Sequence, residues 1–236
     1  MKSFLHHIKA LLAMLLVVVM MTSCLKEEKE TFVLPAIHIE KVGDGDDNGS
    51  STPGGNGGGT STNPYVDTTG HIADTIIPSE LRDSIEDHFD FNEGTNPPSV
   101  SGLYVMSPRV MVYHSQQATT HVTLGDYYFG LLERNGSYLF VTRNGGSTQY
   151  SVANVSGNGN DFSVSFIVTG TGSDDMTSSW YRASVVLSGT IEDGGIRNAQ
   201  YVYTMREKND PCGLFIPVGT YYVCRDGDGL AVRTSW

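Results

Sequence analysis

The chain has 236 residues, 26 acidic and 15 basic side chains, a formal net charge of -11 and a hydrophobic fraction of 39%. The acidic balance argues against nucleic acid and anionic lipid surfaces as partners recognised by charge. The hydrophobic fraction suits a globular chain, and roughly 160 residues, enough for one domain, remain to fold once an export signal and a tether are set aside.

The N-terminus has the pattern of an export signal. Lys2 and Lys9 supply positive charge, and the apolar run 8–21 is shorter than the ~20 residues that a membrane-spanning helix needs. The run ends in Met-Thr-Ser-Cys at 21–24, which resembles the lipobox of bacterial lipoproteins. That resemblance implies cleavage before Cys24 and lipid attachment to it. The alternative is an ordinary signal peptide followed by an incidental cysteine.

The residues after the cysteine also carry a resemblance. The cluster Leu-Lys-Glu-Glu-Lys-Glu at 25–30 resembles the surface-export signal of Bacteroidetes lipoproteins. It implies an outer-membrane lipoprotein exposed at the cell surface and attached to the membrane through its N-terminal lipid. A charge run of this kind is also compatible with a plain solvated tether.

A tether follows the signal. Residues 42–64 are rich in Gly, Ser, Thr, Asn and Asp and nearly free of apolar side chains, so they cannot offset the entropy cost of ordering. The organisation predicted is a signal peptide over 1–23, a disordered lipid-anchored tether over 24–74 and a folded domain over 75–236. The stretch 44–49 mimics the start of a calcium loop. Its twelfth position is Gly55 instead of the required Glu, so it is interpreted as an acidic linker.

The domain opens with one helix and continues as strands. Residues 78–89 place apolar side chains at helical spacing, and Pro97-Pro98 then forces an extended turn. From Gly102 onward apolar and polar residues alternate, with tight-turn signals such as Asn135-Gly136 between the runs. About nine short strands joined by tight turns predict an all-β antiparallel meander. Closing the meander into a barrel would remove its edges, and a β-sandwich is the alternative.

Several of these features together resemble a family. The helix, the Pro-Pro turn, the first strand opening at 102–104 and the late hairpin at 189–196 are similar to lipocalin-like (calycin-like) lipoproteins of Bacteroidetes. The resemblance covers roughly residues 75–236 and implies a β-barrel, often with a central cavity. True lipocalins open with Gly-x-Trp, whereas this chain has Tyr104 at the Trp position.

The sequence holds no catalytic motif of a common hydrolase, metalloprotease or nucleotide-binding class. His114 and His121 could face each other across a hairpin, but two ligands are too few for zinc. The acidic pairs 174–175 and 192–193 lie in segments typical of turns. No catalytic residue, metal site or cofactor is predicted, and an enzyme is not the favoured class.

Tyrosine is the informative residue type. Eleven of the 12 tyrosines fall between Tyr104 and Tyr222, and aromatic rings with hydroxyl tips can line a ligand cavity or stack on sugars. The interior set predicted for the late strands comprises Tyr181, Ala183, Val185, Leu187, Ala199, Tyr201, Tyr203 and Met205. A partly open cavity bordered by Tyr104, Tyr201 and Tyr203 is predicted, although the same side chains would also suit a packed core.

Two functions follow from these patterns. The first is a barrel that binds a small apolar or amphipathic ligand, or a glycan, at the cell surface. The second is a protein-interaction module with a filled barrel, whose protein partner the sequence does not identify. An exported domain also makes a disulfide between Cys212 and Cys224 plausible, with two free buried thiols as the alternative.

Overall fold

The computed structural model describes residues 70–117, 121–134, 137–144, 147–173 and 177–235. Cys24, the export signal and most of the predicted tether lie outside this part of the chain. Within the part described, no helix is long and apolar enough to span a membrane. The elements are α1 (Ser79–Glu86), β1 (Thr95–Asn96), β2 (Gly102–Met106), β3 (Arg109–His114), β4 (Val122–Leu124), β5 (Tyr127–Arg134), β6 (Ser137–Asn144), β7 (Ser147–Asn158), β8 (Asp161–Ser173), β9 (Ser178–Glu192), β10 (Gly195–Asn209), β11 (Tyr221–Asp226) and β12 (Leu230–Thr234).

The sheet closes on itself. Starting from β2, each barrel strand pairs antiparallel with the next along the path β2, β5, β6, β7, β8, β9, β10, β12, and β12 pairs back with β2. Every strand of this ring therefore has two hydrogen-bonded neighbours. The predicted antiparallel meander closed into a barrel, with one short helix before it, is confirmed, and the β-sandwich alternative is not.

Three of the barrel strands are interrupted. β3 continues the line of β2 after Ser107 and Pro108, β4 precedes β5 on the same line, and β11 precedes β12. The registers match, because β11 pairs with β3 as β12 pairs with β2. Pro108 has no N–H to continue the ladder, which explains one break. The eight strands of the ring and these three interruptions give eleven of the twelve described strands, and the twelfth is β1, which pairs parallel with β7 outside the ring. The sequence predicted about nine.

Side-chain alternation separates the inside of the barrel from its outside. One buried cluster fills the interior, and it includes Val185, Leu187, Ala199, Tyr201 and the partly buried Tyr203, all predicted to face inward. Three other residues of the predicted interior set lie outside this cluster: Met205 and its cross-strand partner Ala183 are buried, and Tyr181 is partly buried. All three lie beside the β9–β10 register shift between Met205 and Glu207. Interior positions were therefore predictable from the period of two except next to a bulge.

The helix and the segments around it cover part of the outer wall. Ile85 and Phe89 join Val186, Val202 and Val223 in a second buried cluster on the outward side of β9, β10 and β11. The Tyr221 hydroxyl donates to the Ser84 carbonyl at 2.9 Å. The Asn92 side chain donates to Ser188 Oγ at 3.0 Å. Because this layer covers the outward face of these strands, their outward positions hold valines where polar residues would otherwise face solvent.

The outer layer begins earlier than the domain boundary predicted at residue 75. Ile72 is fully buried in the second cluster, and its N–H donates to Glu93 Oε1 at 2.7 Å. Arg82 forms an ion pair with the same carboxylate at 2.9 Å. Residues from Gly70 onward therefore pack with the domain, because Ile72 supplies an apolar side chain that the composition of the preceding segment lacks.

The two ends of the barrel differ in their connections. The short turns between β5 and β6, β7 and β8, and β9 and β10 lie at the same end as residues 97–101, which lead into β2. Gly70 also lies at this end, because the Gly94 N–H donates to its carbonyl and the Gly157 N–H donates to Gly94. The long 210–220 connection between β10 and β11 lies at the opposite end, together with the two-residue connection between β6 and β7.

The predicted Cys212–Cys224 disulfide is not formed, and both thiols are free. Cys224 pairs with Tyr201 on β10, whereas Cys212 follows the end of β10 at Asn209. The eight residues from Tyr201 to Asn209 span about 26 Å of strand. A disulfide allows a Cα separation of only about 7 Å. The close sequence spacing was misleading because the 210–220 connection carries Cys212 away from β11.

Candidate functional site

The interior of the barrel near residues 97–101 is tightly packed. We call this half the packed end, and its inward side chains include the fully buried Tyr104, Met106, Phe129, Leu131, Phe162, Val164, Leu187 and Ile196. The ring of Phe129 stacks with those of Tyr104 at 5.5 Å and Phe140 at 5.8 Å between centroids. Tyr138, Val155 and Ile191 lie on its rim and are partly buried. This half has the character of a protein core.

The other half keeps accessible surface on its inward side chains. We call it the tyrosine end, and its partly buried members are Met111, Leu124, Tyr127, Val168, Tyr203 and Tyr222. Tyr203 and Tyr222 stack at 5.0 Å between ring centroids, and Tyr127 lies 5.5 Å from Tyr201. The packing of the first half therefore does not continue to this end of the barrel.

The tyrosines are enclosed by protein although they are not fully covered. Burial strongly raises the pKa of Tyr127, Tyr201, Tyr203 and Tyr222. Tyr127, Tyr203 and Tyr222 nevertheless retain accessible surface. Within the part of the chain described, neither the Tyr127 nor the Tyr222 hydroxyl forms a hydrogen bond. These side chains are therefore surrounded by protein atoms while part of their surface stays accessible.

A cation lies beside these rings. Arg109 opens β3 and faces the same side of the sheet as Met111, toward the interior. Its Nη1 donates to the Tyr201 hydroxyl at 3.3 Å, and its Cζ lies 5.2 Å from the centroid of the Tyr127 ring. Its buried Nε has no hydrogen-bond partner. Tyr201 is thus held between a guanidinium and the ring of Tyr127, at the junction of the two ends.

No carboxylate among the described residues pairs with Arg109. Asp226 is its cross-strand partner, but the Asp226 carboxylate instead accepts from the N–H groups of Ser107, Asp228, Gly229 and Leu230 at 2.9 to 3.2 Å. Burial lowers the pKa of Arg109, while the nearby hydroxyls and the Cys224 thiol raise it, and the net pKa is raised. The guanidinium therefore carries its charge inside the barrel without an anionic partner among the described residues.

Two other polar side chains face this region. Burial raises the pKa of the Cys224 thiol to about 11, so the thiol is protonated at neutral pH. Burial also lowers the pKa of His114, whose ring lies parallel to that of Tyr222 at 6.2 Å, so the imidazole is neutral there. Neither group adds a second charge beside Arg109.

The three tyrosines that were predicted from the sequence to border a cavity lie in different parts of the barrel. Tyr201 and Tyr203 face the interior at or beyond the junction, as predicted. Tyr104 lies within the packed end, where its hydroxyl donates to the Val100 carbonyl at 2.9 Å and accepts from Arg233 at 3.2 Å. Its hydroxyl is satisfied by the protein and does not border the accessible half.

Sequence reasoning missed Arg109, Tyr127 and Tyr222. The alternation of Arg109 with Met111 was available as a signal, but the Ser107-Pro108 break and the register shift opposite Val223 obscure which face the early strand buries. The 127–129 segment has three consecutive aromatic residues, so alternation alone does not say which of them points inward. An arginine in such a strand is also more commonly solvent-facing.

Comparison with protein-family models, curated proteins and solved structures found no match to this chain. Within the described ranges, no group of three or more His, Cys, Asp or Glu side chains is placed to hold a metal ion. The barrel interior is therefore the candidate functional site.

Proposed function

We propose that the barrel binds one small amphipathic molecule in its tyrosine end, and that the protein does so as a cell-surface lipoprotein anchored through Cys24. The observation that supports this is the contrast within one interior: fully buried aliphatic and aromatic side chains at the packed end, and enclosed but accessible tyrosines beyond them. Apolar walls with a few placed polar groups are typical of small-molecule sites.

The chemistry of the walls favours an amphipathic ligand. Met111, Leu124 and Val168 offer apolar surface, whereas the Tyr127 and Tyr222 hydroxyls offer polar contacts that no described residue uses. A glycan would stack on the same rings, but a sugar would also need a dense set of hydrogen-bonding groups, and the aliphatic members of the wall do not provide it.

Native mass spectrometry of the intact protein tests the proposal. We expect a non-covalent adduct of one small molecule that organic extraction removes, and we expect the extracted protein to bind decanoate or 1-decanol in a calorimetric titration. Tyr203→Trp, which adds volume inside, should weaken that binding, whereas Tyr128→Trp on the outward face of β5 should not. A protein that carries no adduct and binds neither probe would refute the proposal.

A second function is favoured by the rim of the tyrosine end. Leu214 and Val218 in the 210–220 connection are 51% and 54% exposed, and Trp180 at the start of β9 is 43% exposed. Exposed apolar side chains grouped at one connection are typical of protein contacts. We therefore retain a surface interaction module as the alternative, and loss of partner binding on Leu214→Asp with unchanged probe binding would favour it.

A further inference from the structure

Arg109 differs from the arginines that form ion pairs in the structure. Arg82, Arg182 and Arg197 each pair with a glutamate, at or near the protein surface. Arg109 instead has a weak 3.3 Å bond to a phenol, a ring at 5.2 Å and a buried Nε without a partner. Arg109 is partly buried and its Nε is fully buried, and a charge withdrawn from water without a counterion costs stability.

The groups around Arg109 do not compensate this cost. Asp226 is committed to four backbone N–H groups, and the phenols and the Cys224 thiol are protonated at neutral pH because burial raises their pKa. His114 is neutral, so among the described residues Arg109 is the charged group at the tyrosine rings, and its Nε has no hydrogen-bond partner. A planar guanidinium edge matches the two oxygens of a carboxylate and can donate to both.

We propose that Arg109 binds the carboxylate of an amphipathic monoanion, whose apolar part extends past the tyrosine rings toward the end of the barrel that carries the 210–220 connection. This inference rests on the proposed function and specifies the head group of the ligand. Among the described residues, Arg109 is the cation in contact with the rings of the tyrosine end, whereas Arg233 contacts Tyr104 in the packed end. One carboxylate would balance the charge of Arg109, and the rings of Tyr127 and Tyr222 carry hydroxyls that can add polar contacts.

The test compares two probes of equal chain length on the extracted, full-length protein. Decanoate carries the carboxylate, and 1-decanol keeps the alkyl chain with a neutral head. We expect decanoate to bind about 10- to 100-fold more tightly, as hydrogen bonds to a charged group imply. If neither probe binds, the proposed function fails; if 1-decanol binds as tightly as decanoate, only the role of Arg109 fails. Tighter binding of decyl phosphate than of decanoate would refute the preference for a monoanion.

Substitution separates a binding role from a structural one. Arg109→Met should weaken decanoate binding by the same factor and leave 1-decanol binding unchanged. It should also keep or raise the melting temperature of the ligand-free protein, because it removes an uncompensated charge. Arg109→Lys should retain part of the decanoate preference, since it keeps the charge and loses the planar fork. Arg182→Gln is the matched control, because it removes an outward-facing guanidinium and should leave the binding of both probes unchanged. A lower melting temperature for Arg109→Met with no change in the decanoate preference would overturn the inference.

Discussion

The two ends of the barrel use the same alternating strands for different purposes. At the packed end, inward positions hold Phe129, Leu131 and Phe162 at zero exposure. At the tyrosine end, inward positions hold Tyr127, Tyr203 and Tyr222, which are enclosed but keep accessible surface. The comparison shows that one continuous interior is fully covered in one half and partly accessible in the other, and that different inward side chains occupy the two halves.

The largest expected difference between the ends concerns aromatic truncation. Phe129→Ala should lower the free energy of unfolding by about 3–5 kcal/mol, because it leaves a cavity between stacked rings. Tyr203→Ala should cost less than about 2 kcal/mol, since its ring is only partly covered. Urea unfolding of both variants measures the two costs. Equal costs would mean that the tyrosine end is a core like the other end.

The second difference concerns single hydroxyls. Tyr104→Phe should cost about 1–3 kcal/mol, because it leaves the buried Val100 carbonyl without its donor. Tyr222→Phe should cost less than about 0.5 kcal/mol, since no described hydrogen bond is lost. Thermal unfolding at one pH compares them. A loss for Tyr222→Phe as large as that for Tyr104→Phe would show that its hydroxyl is already satisfied within the protein.

The junction of the two ends should respond to pH. Burial and the neighbouring Asp228 raise the pKa of Asp226 to about 6, above the usual 3.8. The folded state therefore retains a proton that the unfolded state releases, so the contribution to stability is complete below about pH 4 and is lost as pH rises through about 6. We expect a loss of about 1 kcal/mol after allowance for solvent screening.

Asp226→Asn checks this expectation. Between pH 4 and pH 7.5, the free energy of unfolding of the wild type should fall relative to that of the variant. His114 contributes with the opposite sign, because its lowered pKa makes stability fall as pH falls, but it is present in both proteins and cancels. Asp193→Asn at an exposed turn is the control, and a parallel pH dependence for Asp226→Asn and wild type would exclude the assignment.

The smallest expected effect is at the rim of the tyrosine end. Leu214 is mostly exposed, so Leu214→Ser should change the free energy of unfolding by less than about 0.5 kcal/mol. The same change at the fully buried Leu131 should prevent cooperative unfolding or lower the midpoint strongly. Comparison of the two midpoints tests whether the rim is part of the core, and a marked loss for Leu214→Ser would show that it is.

The sequence predicted the barrel because its period of two and its turn signals are local properties. It also placed Tyr201 and Tyr203 inside, since they alternate regularly in a long strand. It did not place Tyr104 in the packed end, because only the packing of residues 97–101 shows that the hydroxyl reaches the Val100 carbonyl. A strand break and a bulge prevented the sequence from showing that Arg109 faces inward. The disulfide prediction was wrong because sequence spacing does not reveal the direction of the connection that carries Cys212.

The position of Gly70 beside Gly94 and Gly157 has a consequence for access. Gly70 lies at the packed end, where the short turns are, whereas the tyrosines approach the opposite end. The described residues thus begin at one pole of the barrel, and the partly accessible tyrosine rings approach the other. The length of the strands therefore separates Gly70 from the tyrosine rings, so a label attached at Gly70 would report on the packed end alone.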